Sequence, residues 1–232
     1  MALSRQAALQ TLTCASAIDP EVSLSVDDAG VGIRHHGARL EFHHSFISGA
    51  LARRARQANQ ALLRACNNRR RSIGGILDTT AGWGADGLVL AHHGRNVTLL
   101  ECEPLVHAVL AYSLALLAES GDGSAVAQRL RLKRVHALDF LRGLPDDHDF
   151  DCIFIDPMFP AHKSGAKPAK EMQILQALTE NREIDASFEL ALRLAHQRVV
   201  VKRPLKAAAL SDAHPDFSYR EKSVRFDVYA TR

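Results

Sequence analysis

From about residue 73 the chain alternates two kinds of apolar pattern. Gly75-Ile76-Leu77-Asp78, Val97-Thr98-Leu99-Leu100, Cys152-Ile153-Phe154-Ile155 and Val199-Val200-Val201 are short, nearly continuous apolar runs, the signature of strands buried on both faces. Between them, Asp86 to His93, Pro104 to about Glu119, Lys170 to about Leu178 and Ser187 to Ala195 read as helices. Pro104 suits a first helical turn, because its missing N–H is not needed there. Leu130 to His136 reads as a third strand, and Ser218 to Ser223 with Arg225 to Ala230 as a closing strand pair. Strands alternating with helices predict an α/β fold. Its sheet is mostly parallel and twisted, with helices on both faces and an antiparallel pair at the C-terminal end.

The first 45 residues lack strong helical periodicity. Val22 to Val26 and Val31 to Arg34 could pair as strands around an Asp27-Asp28-Ala29-Gly30 turn. One helix is predicted over about 47–66, with Ile47, Leu51, Ala55, Ala58, Leu62 and Ala65 on one face and Asn67-Asn68 as its stop. We therefore expect a small N-terminal extension over 1–70 and one main domain over 71–232.

Composition narrows the class. No apolar run reaches the ~18 residues that span a bilayer, and Met1 to Cys14 lacks the pattern of a secretory leader, so a cytoplasmic protein without a membrane partner is expected. Cys14, Cys66, Cys102 and Cys152 form no CxxC pair, and the doublets His35-His36, His43-His44 and His92-His93 lack zinc-site spacing. Four reduced thiols and no metal are expected. The net charge of +3 says little, but its distribution says more. Between Glu41 and Asp78 there is no acid and there are seven arginines: Arg53, Arg54, Arg56, Arg64, Arg69, Arg70 and Arg71. Lys163, Lys167 and Lys170, then Lys202, Arg203 and Lys206, form two further basic groups. A solvated helix face explains such a run by itself, yet arginine forks also bind phosphate oxygens. Arg53, Arg54, Lys202 and Arg203 are the candidate RNA-binding residues.

Candidate chemistry follows the strands. The first ends in Asp78-Thr79-Thr80-Ala81-Gly82-Trp83-Gly84-Ala85-Asp86, where glycines let the backbone approach a ligand. Glu101 ends the second strand, 23 residues after Asp78, and can accept hydrogen bonds from both ribose hydroxyls of an adenosine. The third leads to Asp139, placed to receive an adenine amino group. Residues 82–87 formally match G-x-G-x-x-G, but Asp86 would oppose a pyrophosphate. An acid there suits a cation, which favours S-adenosylmethionine over NAD. The fourth strand ends in Asp156-Pro157-Met158-Phe159-Pro160. This resembles the D/N-P-P-Y/F motif of methyltransferases that act on planar amines, with Met158 replacing the second proline. A carboxylate and a carbonyl that accept both amino hydrogens can draw such a nitrogen toward tetrahedral geometry. Asp156 and Phe159 are the candidate catalytic residues, the second for stacking on a base.

With Asp-Pro-Met-Phe-Pro and the later Val199-Val200-Val201-Lys202-Arg203-Pro204, the sequence is similar to the small-subunit rRNA guanine-N2 methyltransferases of the J type, over roughly residues 42–230. Leu100-Glu101-Cys102-Glu103-Pro104 and Arg225-Phe226-Asp227-Val228-Tyr229 carry further likeness. The resemblance implies a Rossmann-like class I S-adenosylmethionine-dependent methyltransferase fold. It implies methylation of a guanosine amino group in small-subunit ribosomal RNA, free or in the 30S particle. By motif position it implies donor contacts at Ala85, Asp86, Glu101, Cys102, Leu138, Asp139 and Asp156, beside Gly82 of the glycine loop. The residues alone leave open another RNA nucleotide or a protein amide nitrogen as acceptor. A NAD-dependent oxidoreductase and a non-enzymatic RNA-binding protein fit them less well, and the oligomeric state is not encoded in any motif.

Overall fold

The computed structural model describes residues 4–16, 19–58, 60–69, 71–158, 169–179, 184–211 and 213–231. Its centre is a seven-stranded sheet. The strands are β4 (Gly75–Asp78), β5 (Asn96–Leu100), β6 (Leu130–Lys133), β7 (Phe150–Ile155), β8 (Arg198–Pro204), β9 (Phe217–Arg220) and β10 (Val224–Ala230). They lie in the order β6-β5-β4-β7-β8-β10-β9. The first five are parallel, and β10 runs antiparallel to both β8 and β9, as the alternation and closing pair predict. The chain winds outward from β4 to β6, then returns to β7 on the other side of β4. This reversal opens a crevice beyond the carboxyl ends of β4 and β7.

Helix α4 (Ala85–His92) follows β4, and α5 (Pro104–Glu119) follows β5. Short α6 (Ser124–Ala127) precedes β6, α7 (Ala137–Arg142) follows it, and α8 (Lys170–Leu178) and α9 (Ile184–Leu194) lie between β7 and β8. Helix α5 is apolar almost all round because both sides are covered. Leu110 and Leu117 face the sheet core, whereas Leu105, Val109, Tyr112 and Leu116 meet the N-terminal elements.

Those elements are α1 (Arg5–Ser16) and an antiparallel sheet of β1 (Val22–Val26), β2 (Val31–His35) and β3 (Leu40–His44). The β1–β2 hairpin is as predicted. Helix α1 and strand β3 are not: α1 gains its stability from a distant partner, and β3 adds a second hairpin to β2. Ala8, Leu12 and Ala15 are buried in the same apolar cluster as the N-terminal side of α5. The single helix expected over about 47–66 is two, α2 (Gly49–Ala55) and α3 (Ala61–Ala65). The break follows from tertiary capping. Gln60 Nε2 donates to the carbonyls of Arg54 at 3.0 Å and Gln57 at 2.7 Å, and Glu221 accepts from the Ala61 N–H at 2.8 Å. The third strand stops at Lys133 rather than His136, and α7 begins four residues later.

Gly84 precedes α4 with φ of 71°, and an added Cβ would lie 2.8 Å from both Leu110 and Phe46. Left-handed strain and overpacking each cost about 1–3 kcal/mol. We expect Gly84→Ala to lower the unfolding free energy by roughly 2–4 kcal/mol in urea titrations. An unchanged midpoint would mean that the loop relaxes freely.

Candidate active site

The carboxyl ends of β4, β5, β7 and β8 and the start of α4 surround a cavity of about 870 Å3. Its walls bring together Gly82, Ala85, Asp86, Glu101, Cys102 and Asp156, which the sequence distributes over 75 positions (82 to 156). Each is delivered by a strand end or the turn that follows, because parallel strands place their carboxyl ends at one edge.

Glu101 is held by backbone donors. Its Oε2 accepts from the Gly82 N–H at 3.0 Å and its Oε1 from the Glu103 N–H at 2.8 Å. Burial outweighs these bonds and raises its carboxyl to about 7. Asp78 accepts from the Thr80 N–H at 3.1 Å, and burial raises it further, to about 8. The loop after β7 is tied to the loop after β4, since the Asp156 N–H donates to Thr80 Oγ1 at 2.6 Å.

At the centre lies an ion cluster. Lys202 Nζ donates to Asp86 Oδ2 and to Asp156 Oδ2, both at 2.7 Å. Arg54 donates to the other oxygen of Asp86. Burial alone would raise Asp86, but the two cations outweigh it and hold the carboxyl at about 2. Burial dominates at Asp156, which is raised despite Lys202. The same pairing lifts the Lys202 ammonium above its ordinary value against the opposing effect of its own burial.

His44 pins the glycine loop from the N-terminal side. Its Nε2 lies 2.8 Å from the Trp83 carbonyl and its Nδ1 2.8 Å from Ser113 Oγ. A carbonyl can only accept, so Nε2 carries the proton and Nδ1 accepts from the serine hydroxyl. Burial pushes this imidazole down to about 4. Trp83 Nε1 donates to the Glu171 carbonyl at 2.8 Å and so links the loop to α8.

Several expected positions fall elsewhere. Lys202 and Arg54 are engaged with buried carboxylates in the cavity wall, not presented on an outer face for phosphates. Arg203 is buried and donates to the Ala208 carbonyl at 3.0 and 2.6 Å. Its neighbours on β8 alternate across a central strand, and that burial the sequence run of basic residues did not reveal. Arg53 is exposed on α2, as expected. Leu138 is buried in α7, and Asp139 is exposed, 4.0 Å from Arg142. Among the described residues, Val135, His136 and Ala137 stand at the cavity wall in their place, because the third strand ends early. Phe159 lies outside the described residues, as do Lys163 and Lys167. Sequence reasoning missed His44, Thr80 and the ion-pair roles of Arg54 and Lys202. Only the His43-His44 doublet and the Val-Lys-Arg-Pro string marked any of them. Among the described residues no helix is long and apolar enough to cross a membrane, and no group of His, Cys, Asp or Glu could hold a metal ion.

Comparison with known proteins agrees with this geometry. The family described as "Putative SAM-dependent methyltransferase" matches residues 8–231. Ribosomal RNA small subunit methyltransferase J of Nitrosococcus oceani is 36% identical over 207 residues, covering 83% of this chain and 81% of the relative. The protein of the same name from Thioalkalivibrio sulfidiphilus is 38% identical over 190 residues, covering 80% and 74%. A crystal structure of a SAM-dependent methyltransferase from Neisseria gonorrhoeae superposes with a TM-score of 0.73 at 26% identity, covering 98% of this chain and 92% of that one.

The cavity holds more acid than base. Five acidic residues, Asp78, Asp86, Glu101, Asp156 and Glu171, line it, against Arg54 and Lys202. Asp78 and Glu101, raised to about 8 and about 7, are largely neutral until pH passes those values. Both are raised above their unfolded values, so their contribution to stability is fully present below about pH 4 and is lost progressively as pH rises to about 7 to 8. A cationic ligand favours their ionised forms. Binding of S-adenosylmethionine should therefore release protons near pH 7 and tighten as pH rises through about 7 to 8. Its product S-adenosylhomocysteine carries the same ammonium and ribose and should show a similar pH dependence, whereas adenosine, which lacks the ammonium, should show a weaker one. Calorimetry in buffers of different ionisation enthalpy reads these differences, and equal pH dependence for S-adenosylmethionine and adenosine would refute the charge argument.

Proposed function

Because this chain belongs to the ribosomal RNA small subunit methyltransferase J family of SAM-dependent methyltransferases, we propose that it transfers a methyl group to the N2 amino group of a guanosine in small-subunit ribosomal RNA. The observation that carries the reading is the position of the Asp156-Pro157-Met158 loop. It lines the same cavity as the Gly82 loop and Glu101, so a methyl donor and a planar amine can meet there.

The donor set fits S-adenosylmethionine. Glu101 would take the ribose hydroxyls, since two backbone N–H groups already fix its carboxylate in the wall. Val135 to Ala137 would flank the adenine, and the acids around Asp78 and Asp86 would face the methionine ammonium. Ala85, Cys102 and the backbone at Gly82 would complete the wall. When bound, the donor supplies an electrophilic methyl on a sulfonium that leaves as a neutral thioether.

The chain's own residues do the rest. Asp156 would accept one amino hydrogen and the Pro157 carbonyl the other, which aims the nitrogen lone pair at the methyl. So aimed, the nitrogen would take the methyl as the thioether leaves with the C–S electron pair. The extra proton on nitrogen then passes to water. The ion pair with Lys202 favours Asp156 as an acceptor over Asp156 as a strong base. Phe159 would stack on the guanine. RNA phosphates would meet exposed Arg53 of α2 and Arg56 at its C-cap, and α2 also sends Leu51 and Arg54 to the cavity wall. Small-subunit RNA as substrate implies a cytoplasmic site of action.

Labelled methyl transfer to unmethylated 30S particles tests this. Asp156→Asn should lower kcat by about 100- to 1,000-fold and leave donor affinity within a few-fold of the wild type. Label that resists RNase and yields to protease would move the acceptor to protein. Replacing Arg53 and Arg56 by Ala should flatten the salt dependence of RNA binding by about one unit of slope per charge, and an unchanged slope would place the phosphate contacts elsewhere.

A further inference from the structure

The basic run that carries Lys202 sends this side chain inward, to a position between the two carboxylates that differ most in task. Asp86 opens α4 on the donor side of the cavity, and Asp156 ends β7 on the acceptor side. Lys202 Nζ is 2.7 Å from each. The two acids are not served equally. Asp86 has a second cation in Arg54, whereas among the described residues Lys202 is the one cation paired with Asp156. The groups that act on Asp156 are Asp86 from α4, Asp78 from the end of β4, Arg54 from α2 and Lys202 from β8. Asp86 is ionised and outweighs Arg54 at this buried site, so without Lys202 both burial and charge favour a neutral carboxyl.

A neutral carboxyl is the wrong group for the proposed chemistry. It carries a proton to donate and loses acceptor strength toward an amino hydrogen. The position of Lys202 is also fixed by its backbone. β8 is paired on both sides, Phe226 of β10 opposes Lys202, and flanking Val201 and Arg203 are buried. A point charge on a strand so held can aim one carboxylate oxygen and leave the other open to the cavity.

Resting on the methyl-transfer reading above, we propose that Lys202 is a positioning residue that keeps Asp156 ionised and oriented for the incoming amine, and that by sharing its charge with Asp86 it links the donor side of the cavity to the acceptor side. Its role is not to grip RNA phosphate.

Two measurements on the full chain decide it. The first is the pH dependence of single-turnover methyl transfer to 30S particles at saturating donor, for the wild type, Lys202→Met, Lys202→Gln and Lys202→Arg. The acidic limb should move up by about 1–3 pH units in the Met and Gln variants. Their rates should recover toward wild type at alkaline pH, and the Arg variant should keep the wild-type limb. The second is titration of the Asp156 carboxyl carbon by NMR, assigned through Asp156→Asn, in the same proteins without RNA. It should show the same upward displacement, and it requires no acceptor. An absence of transfer by the wild type would overturn the rRNA reading alone, since the titration still reports on Lys202. Coincident Asp156 titrations in wild type and in whichever neutral variant folds would overturn the proposal. So would a neutral variant whose rate falls equally at every pH, or RNA binding whose salt slope drops in Lys202→Gln.

Discussion

The ion pairs from Lys202 to Asp86 and Asp156 join parts of the chain that share no other chemistry. They connect the start of α4, the end of β7 and the middle of β8, and Arg54 brings in α2. Such a cluster is costly to bury, because each charge leaves water, and the cost is offset only when the geometry satisfies every partner. Removing one member strands the others. The cluster is thus weak evidence for stability and stronger evidence that these carboxylates must stay charged at this place. A hydrophobic substitute of equal volume would fill the space without supplying an acceptor.

The rest of the cavity is arranged around that requirement. Backbone N–H groups hold Glu101, a threonine hydroxyl holds the backbone of Asp156, and a neutral histidine holds the Trp83 carbonyl. Each of these groups fixes the position of a loop without adding a formal charge. The excess of acid is left for a cationic ligand to balance, which agrees with a sulfonium donor and disfavours a pyrophosphate.

The N-terminal elements take part in this arrangement. Helix α1 and the small sheet bury their apolar faces against one side of α5, whose other side packs on the main sheet. His44 at the end of β3 then reaches the glycine loop, and α2 supplies Arg54 and the exposed Arg53. The segment that the sequence suggests as an extension therefore lines part of the cavity.

The sequence by itself determined the alternating sheet, the closing strand pair and the strand-end acids at Asp78, Glu101 and Asp156. Those features are local. A buried parallel strand must be apolar along its length, and a ligand site in such a sheet must follow its carboxyl ends. Only the tertiary structure decided where the basic residues point. Lys202 and Arg203 are neighbours in a basic string, yet one joins two acids in the cavity and the other is buried and binds the Ala208 carbonyl of the loop after β8. The helix break at residues 56–60 rests on Glu221, 160 residues after Ala61, and α1 and β3 rest on α5 and the small sheet. Asp139 looked like a strand-end acid until the strand ended early at Lys133 and α7 turned it to solvent. Periodicity records which face of an element is buried. It carries no record of which distant charge meets it there, because a pairing between residues more than a hundred positions apart depends on the path of the whole chain.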